Sequence, residues 1–574
     1  MKIPKLFPFA CVALMMTACA SDKDEMGGGT KPGSDPQYLA VNIVNVGATP
    51  TTRATDDYEN GTTDESTIKK VRFYFFNGDG SPYLIKNPGV TGVEGGGEKN
   101  WLEASPADDS STSGKPSQIE KITQTVLVIN GVQSAAPAAI VAVVNPGTVD
   151  AATLKNGEKM RLSELRYSAV GSQFYKKDAT TGAVSDFVMS NSVYVNAGED
   201  VCASLVAGHV TTSEETARTK PVDLYVERVV AKVTADVDKT AFELGNGTNW
   251  DAKKYGTKKP VGKSGDYNVY AVIDGWGLAN ENGKAEVEKQ VNKTWTDGIL
   301  GFSPWTTADY HRCFWEASVG FAAGAGGNQP VNPKFNQLKA KMQDVLYTLP
   351  NTPDSKVTDL KNNDLTKFAV AATLRYQDAD GNWHDAEICR YNGVSILGID
   401  NLKRQVALTF SQYYTSTDAT NYTQLSKDDI NFKNPNGTMQ PYLVTPTLAD
   451  DATGTKKYYT KTTTGTTPTF TEVDKATVLA AIEADKAEIR LGGRAYYYVP
   501  IKHLGGTGEL AEYGIVRNHF YKITLSGITG FGTPVYDPEK VVDPIVPTYE
   551  NTYLAARVQV LQWRVVNQNA SLGN

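Results

Sequence analysis

The 574-residue sequence has no excess of basic charge: 57 Lys and Arg stand against 64 Asp and Glu, a formal charge of −7. That excludes a non-specific nucleic-acid binder, which needs a basic surface. Histidine occurs only five times, at 209, 311, 384, 503 and 519, without ligand spacing. No GxSxG elbow, Walker A loop or HExxH helix is present either. Each His therefore reads as a packed or hydrogen-bonded structural residue. The run Asp378-Ala379-Asp380-Gly381-Asn382 carries its Gly two positions too early for a calcium loop and lacks the closing Glu, so it reads as a hairpin turn. Paired carboxylates for glycoside hydrolysis need only meet in space, and nothing singles out a pair. The expectation is a non-enzyme without cofactor or metal.

Cysteine is scarce too. Cys11 and Cys19 lie in the first twenty residues, and Cys202, Cys313 and Cys389 are far apart and odd in number. They form neither a disulfide framework nor a CxxC metal site. They read as buried thiols, with one bridge between two of them as the alternative in an oxidising location. The apolar stretch Leu6 to Met16 is shorter than the roughly 20 residues that span a bilayer. With Lys2 and Lys5 before it and Thr17-Ala18-Cys19 after it, residues 1–18 read as a signal peptide. A small residue directly before Cys19 resembles a bacterial lipobox, which makes Cys19 the lipidated first residue; the alternative is an ordinary signal peptide. Ser21-Asp22-Lys23-Asp24-Glu25 resembles the acidic surface-export signal of Bacteroidetes lipoproteins.

What is abundant is turn and strand signal: 51 Gly and 27 Pro punctuate short β-branched and aromatic runs. A flexible tether, Met26 to Ser34, is followed by a β-like run from Tyr38 to Val46. Thr51 to Asp57 is a polar stretch whose single basic residue, Arg53, is open to a trypsin-like protease. Beyond it, Val71 to Phe76, Val126 to Ile129, Ala139 to Val144, Phe187 to Val195, Leu224 to Val233, Tyr267 to Ile273, Phe368 to Tyr376, Ala495 to Ile501 and His519 to Leu525 read as strands. Short helices are expected near 151–165, and from the spacing of Phe335, Leu338, Met342, Val345 and Leu346, and of Val478, Leu479 and Ile482. No repeat of 20 to 50 residues is visible, which argues against solenoids and propellers. The pattern favours a mainly β chain of two β-sandwich domains, with a boundary near Thr219-Lys220-Pro221 and a Thr-rich surface insertion at 453–487. Residues 534 to 547 hold four prolines and form an extended connector to a last strand, Leu554 to Val566.

The two ends are patterned alike. Leu39, Val41 and Ile43 alternate and then shift parity to Val44 and Val46; Leu554, Ala556, Val558 and Val560 alternate and then shift to Leu561, Trp563 and Val565. One parity shift is what a β-bulge produces, and both segments suit similar grooves. Alternatively, each is an edge strand of its neighbouring domain and the likeness is chance.

Lipobox, tether, Arg53-Ala54, Ile68 to Phe76, Phe187 to Asn191, Val226 to Val233, Tyr513 to Tyr521 and the closing Ala556 to Val566 together resemble the fimbrilin family of Bacteroidia, and within it shaft subunits of short fimbriae. The resemblance implies two transthyretin-like β-sandwich domains, 54–219 and 220–533, after a signal peptide (1–18) and a lipidated prosegment (19–53). It also implies a hinge and donor strand at 534–574. An arginine-specific or trypsin-like protease would cut between Arg53 and Ala54 and remove the strand holding Leu39, Val41, Ile43, Val44 and Val46. Val558, Val560, Leu561, Trp563 and Val565 of the next subunit would then fill the groove, giving a head-to-tail homopolymer that supports adhesion and biofilm formation. The expected partners are other copies, fimbrial anchor and tip proteins, the protease and, through lipid, the outer membrane. The expected location is the outer membrane for the precursor and the extracellular fibre after processing. Competing readings are an anchor or tip component, or a lipoprotein that binds glycans through Trp276, Trp305, Trp315 and Trp383. Core or sheet-face packing is the simpler explanation of these Trp residues.

Overall fold

The computed structural model describes residues 37–45, 61–86, 93–95, 99–105, 121–129, 135–149, 154, 157, 159–170, 174–196, 199–292, 316–322, 327–360, 364–434, 437–503, 507–508, 510–544, 553–560 and 564–565. Cys19, Val46, Arg53, Ala54, Trp305, His311, Cys313, Trp315, Leu561 and Trp563 lie outside them.

The chain is mainly β, as expected. Its first body is one long sheet. In chain order it uses β1 (Gln37–Asn45), β2 (Val71–Phe76) behind a one-turn helix α1 (Thr63–Ser66), β3 (Lys121–Ile129), β4 (Ala139–Val144), β5 (Met189–Asn191) and, after helix α2 (Glu214–Thr219), β6 (Val222–Arg228). Across the sheet the order is β2, β4, β5, β6, β1, β3. β2 and β4 are buried at every position, because the sheet is covered on both faces there; the one charge in them, Arg72 of β2, is paired with Glu103 at 2.5 Å. Their core also takes Leu39, Val41, Leu127, Leu224 and Val226.

The second body has two sheets facing across one core. One orders β9 (Val345–Thr348), β7 (Ala231–Val237), β15 (His519–Thr529) and β16 (Tyr553–Val560). The other includes β8 (Tyr267–Ala279), β10 (Lys367–Gln377) and β14 (Arg494–Pro500). Alternate residues meet between them, with Val233 and Ala235 of β7 and Tyr521, Ile523 and Leu525 of β15 opposite Val269, Phe368, Val370 and Tyr497.

A third core, from Cys389 to Ile489, lies under α3 (Ile399–Thr409), β11 (Tyr413–Ser416), the hairpin β12–β13 (Lys457–Thr464 and Thr467–Val473) and α4 (Lys475–Glu483). The Thr-rich segment is thus one edge of a larger unit set between β10 and β14.

Several expectations need correction. The helical spacing over 335–346 gives only a 3-10 turn at Phe335–Gln337 followed by the strand β9; Gln343, at φ 74°, is a left-handed turn residue that no helix accommodates. Near 151–165 the described helix is the five-residue Leu162–Arg166. β6, just past Thr219-Lys220-Pro221, pairs with β5 and β1, and Val222, Leu224, Val226, Val229 and Val230 pack into the first core. The polar stretch there is α2 and its flanks.

Candidate functional site

β1 is an internal strand. It runs parallel to β6, with Val41 opposite Val222 and Asn45 opposite Val226, and antiparallel to β3 from Gln37 opposite Ile129 to Asn45 opposite Lys121. Its pairing with β3 is unbroken, so the parity shift at Ile43-Val44 is not a bulge. Leu39 and Val41 are fully buried in the first core. Ala40, equally buried, is absent from that core and sits on the other face, where α2 lies against β1 and β3 with Ala217 as its one buried residue. Among the described residues β3 has no sheet partner except β1. Each ladder bond contributes about 0.5–1.5 kcal/mol net, and burial of Leu39 and Val41 about 1.5–3 kcal/mol each. Removing β1 would therefore expose a ladder on β6, strand β3 on both edges, and an apolar groove between them.

Thirty-six residues of sequence precede β1 and Arg53 follows it by eight positions. On the far side of Arg53, the chain is fastened again at α1. Thr62 and Glu65 form a capping box, with Thr62 N–H donating to Glu65 at 2.9 Å and Glu65 N–H to the Thr62 hydroxyl at 3.3 Å. Glu65 is buried and receives Lys232 at 2.9 Å and the Tyr347 hydroxyl. Burial raises its pKa, but Lys232 and Tyr347 outweigh this and hold the carboxyl below its usual range. Arg228, at the end of β6, donates to the Glu65 carbonyl at 2.7 Å and the Ser66 hydroxyl at 3.0 Å. The fit is tight: a Cβ on Gly61 would stand 2.8 Å from the Arg228 Nη2.

The C-terminal strand β16 is an edge strand of the second body, antiparallel to β15 from Tyr553 opposite Thr529 to Val560 opposite Tyr521. A bulge lies in its partner, between Leu525 and Gly527, while the parity shift at 560–561 falls at the limit of the described residues. Arg564 and Val565 pair parallel with His519 and Phe520. Val558 and Val560 are thus at register positions opposite Ile523 and Tyr521.

The connector before β16 is docked rather than free up to Pro544. Thr533 and Pro534 pair with β14, Val535 and Val542 are buried, and Val542 N–H donates to Pro333 at 2.9 Å. The Tyr496 hydroxyl donates to the Asp543 carbonyl at 2.7 Å, and Lys367 Nζ to the Pro544 carbonyl at 2.8 Å. Burial pulls the Lys367 pKa down to about 8.

Between the two bodies runs a buried charge network that sequence reading did not single out. Lys289 meets Glu227 at 2.8 Å; Arg517 donates to Glu316 at 2.8 Å and to the Val287 and Glu286 carbonyls at 2.9 Å; Arg228 donates to Asn518 at 3.0 Å. The one local sign is Glu227-Arg228, two adjacent charges at the end of the apolar alternation Val222, Leu224 and Val226. Segment 285–287 crosses into the first body, with Ala285 opposite Val170 and Val287 in the first core.

Other candidates resolve into structure. Trp276 is fully buried, with its indole N–H donating to the Lys341 carbonyl at 2.7 Å, and Trp383 packs edge-on against Trp250 and Tyr270. His503 shares a hydrogen bond with the Tyr521 hydroxyl at 2.9 Å, and His519 donates to the Arg517 carbonyl at 2.7 Å. Cys202 and Cys389 are buried free thiols. Among the described residues no three His, Cys, Asp or Glu are placed to hold a metal ion, and no helix is long and apolar enough to cross a membrane.

Residues 491–569 match the family model described as major fimbrial subunit protein type IV, fimbrillin, C-terminal. No curated protein matches the chain. Among solved structures it is similar to a candidate cell adhesion protein of Parabacteroides distasonis, at 11% identity and TM-score 0.34 over 94% of this chain and 99% of that one. Another, of Bacteroides eggerthii, gives 10% identity and TM-score 0.33 over 95% and 98%. The tip fimbrial protein Mfa3 of Porphyromonas gingivalis, with a C-terminal truncation, gives 11% and 0.24 over 62% and 83%. The functional reading rests on the family match and the chain's own geometry, not on these three.

Proposed function

We propose that the chain is a fimbrillin-type shaft subunit of a cell-surface fimbria. It is made as a precursor lipidated at Cys19, cut between Arg53 and Ala54, and polymerised by exchange of a β-strand. The fimbrillin match over 491–569 supports the family, and one observation carries the mechanism: β1 is an internal strand whose sequence lies wholly on the prosegment side of Arg53. A cut after Arg53 leaves β1 held by noncovalent contacts alone, while α1 and Arg228 keep the new N-terminal segment on the body. Once β1 departs, the groove between β6 and β3 needs a strand, and β16 is one whose sheet neighbour among the described residues is β15 alone. β16 of the next subunit fills the groove, with Val558, Val560, Leu561, Trp563 and Val565 as its anchors. Each copy gives one strand and takes one, so the contact is head-to-tail and does not close. The precursor sits on the outer membrane and the product is an extracellular fibre with anchor and tip proteins, serving adhesion and biofilm formation.

The test is unboiled, non-reducing gel electrophoresis with N-terminal sequencing of surface-shed protein. A ladder of multimers beginning at Ala54, lost in Arg53→Ala and on deletion of 553–574, is expected. A monomer still beginning at Cys19 refutes the reading.

A further inference from the structure

We infer that the exchanged strand enters the groove in one register, with Tyr553–Val560 of the next copy replacing Tyr38–Asn45 residue for residue and running parallel to β6. The inference rests on the strand-exchange reading above and adds polarity, register and the residue that selects them. Residues 38–40 and 553–555 are both Tyr-Leu-Ala, a triplet found nowhere else in the chain. Aligning the triplets puts Leu554 at the place of Leu39, Ala555 at that of Ala40, Ala556 at that of Val41 and Val558 at that of Ile43.

Position 40 is the selective one. It is buried on the face turned away from the first core, on the side where α2 contributes Ala217. Two small residues let a helix lie close on a strand, and a longer side chain at either place has to displace the other element. In the proposed register the place of Ala40 receives Ala555. Slipping the strand by one residue exchanges its faces. In one direction Leu554 then falls under α2, and in the other Arg557 takes the place of the core residue Val41. Slipping by two keeps the faces but puts Tyr553 or Arg557 under α2. Reversing the polarity loses the alignment of the triplet altogether. Ala217 thus acts as a specificity residue for the incoming strand.

Cysteine cross-linking in the assembled fibre tests this, because Val41 lies opposite Thr125 and Asn42 opposite Gln124 across the β1–β3 ladder. In full chains carrying Cys202→Ser, Cys313→Ser and Cys389→Ser, the matched pairs are Thr125→Cys with Ala556→Cys, and Gln124→Cys with Arg557→Cys. The offset pairs are Thr125→Cys with Leu554→Cys or Val558→Cys. After cleavage, assembly and oxidation, boiled non-reducing gels are expected to show a covalent ladder for a matched pair and loss of it for the offset pairs. A ladder strongest in an offset pair, or in neither set while unboiled gels still show polymer, overturns the register and leaves strand exchange standing. Absence of polymer from the cleaved chain without introduced cysteines overturns the register together with the reading it rests on. As a second measurement, Ala555→Leu is expected to lose polymerisation and Ala556→Val to keep it; equal polymerisation by both overturns the role of Ala217.

Discussion

Arg228 and Asn518, 290 residues apart in the chain, share a hydrogen bond of 3.0 Å at the junction of the two bodies. The same guanidinium holds the Glu65 carbonyl and the Ser66 hydroxyl, so one side chain fastens the first helical turn, the end of β6 and the start of β15. Arg228→Ala strands these buried acceptors and is expected to destabilise the chain by about 3–5 kcal/mol. Arg228→Lys should recover little of that, since a point charge cannot reproduce the planar fork. Chemical denaturation measures both; wild-type stability for Arg228→Lys would show that charge alone suffices.

Stability should fall as pH rises through the weakly acidic range. Burial pushes the Glu281 and Glu286 carboxyls up from 4.5 to about 7, and raises Glu288 well above its usual range. A carboxyl raised in the fold binds its proton more tightly there than in the unfolded chain. Its contribution is therefore fully present below about pH 4.5 and is lost on the way up to about pH 7. Glu281→Gln and Glu286→Gln keep the neutral shape at every pH and should flatten melting temperature against pH between those limits. A wild-type curve that rises over the interval refutes the assignment.

The docked connector gives a separate prediction. Lys367 donates to the Pro544 carbonyl at 2.8 Å, next to the Tyr496–Asp543 contact. Lys367→Met removes the donor while keeping the apolar stem, so Pro544 loses its tie and the amides of 541–544 should exchange faster with solvent. Because burial lowers the Lys367 pKa from 10.5 to about 8, the wild type also gains stability from pH 8 upward as the buried ammonium is neutralised. The Met variant should lack that gain. Equal exchange and equal pH response in the two proteins would count against the clamp.

The strongest strands were legible because their chemistry is local. Ala139 to Val144 is a continuous apolar run and Val71 to Phe76 a β-branched and aromatic run broken only by Arg72, and a strand covered on both faces needs such a pattern. The turn at Asp378 and the helix at 475–483 were equally plain, the latter opening on an Asp474 side-chain cap. Helix α3 was not, since only Leu402, Val406 and Ala407 of its eleven residues are buried and it starts after a glycine at φ 86°. Of the candidate site, the two patterned ends were visible, but that β1 is internal and β16 an edge strand depends on pairings of distant segments. The junction charges were hidden for a related reason: Glu227, Lys289, Glu316 and Arg517 look like solvated surface residues until the fold brings them together.

The tip of the hairpin β12–β13 should be dispensable for folding. Residues 462–469 are exposed, whereas Tyr458 at its base is in the third core and Val473 packs against it. Replacing Thr462–Thr469 by Asn-Gly closes the strands directly after the Lys461–Phe470 pair with a favoured two-residue turn. The expected change is under about 1 kcal/mol by thermal or chemical denaturation. A loss several times larger would mean that the hairpin supports the unit beneath it.

The last prediction concerns β3, whose one described sheet partner is β1. In the uncut precursor the nine residues from Lys121 to Ile129 are paired across their whole length, and exchange of their amides should be slow. If β1 leaves after cleavage at Arg53, β3 loses that ladder while β6 still keeps β5 on its other side. Cleaved protein freed of β1 and lacking residues 553–574, so that no donor strand is present, should therefore exchange fast over 121–129 and slowly over 222–228. Adding a peptide of sequence 553–566 should restore protection to 121–129, and Leu39→Ala in the precursor should lower the barrier to release, its burial loss being about 2–5 kcal/mol. Protection over 121–129 that survives loss of β1 without any added strand would mean that β3 is held by other contacts, and that β1 is not the strand on which this face of the fold depends.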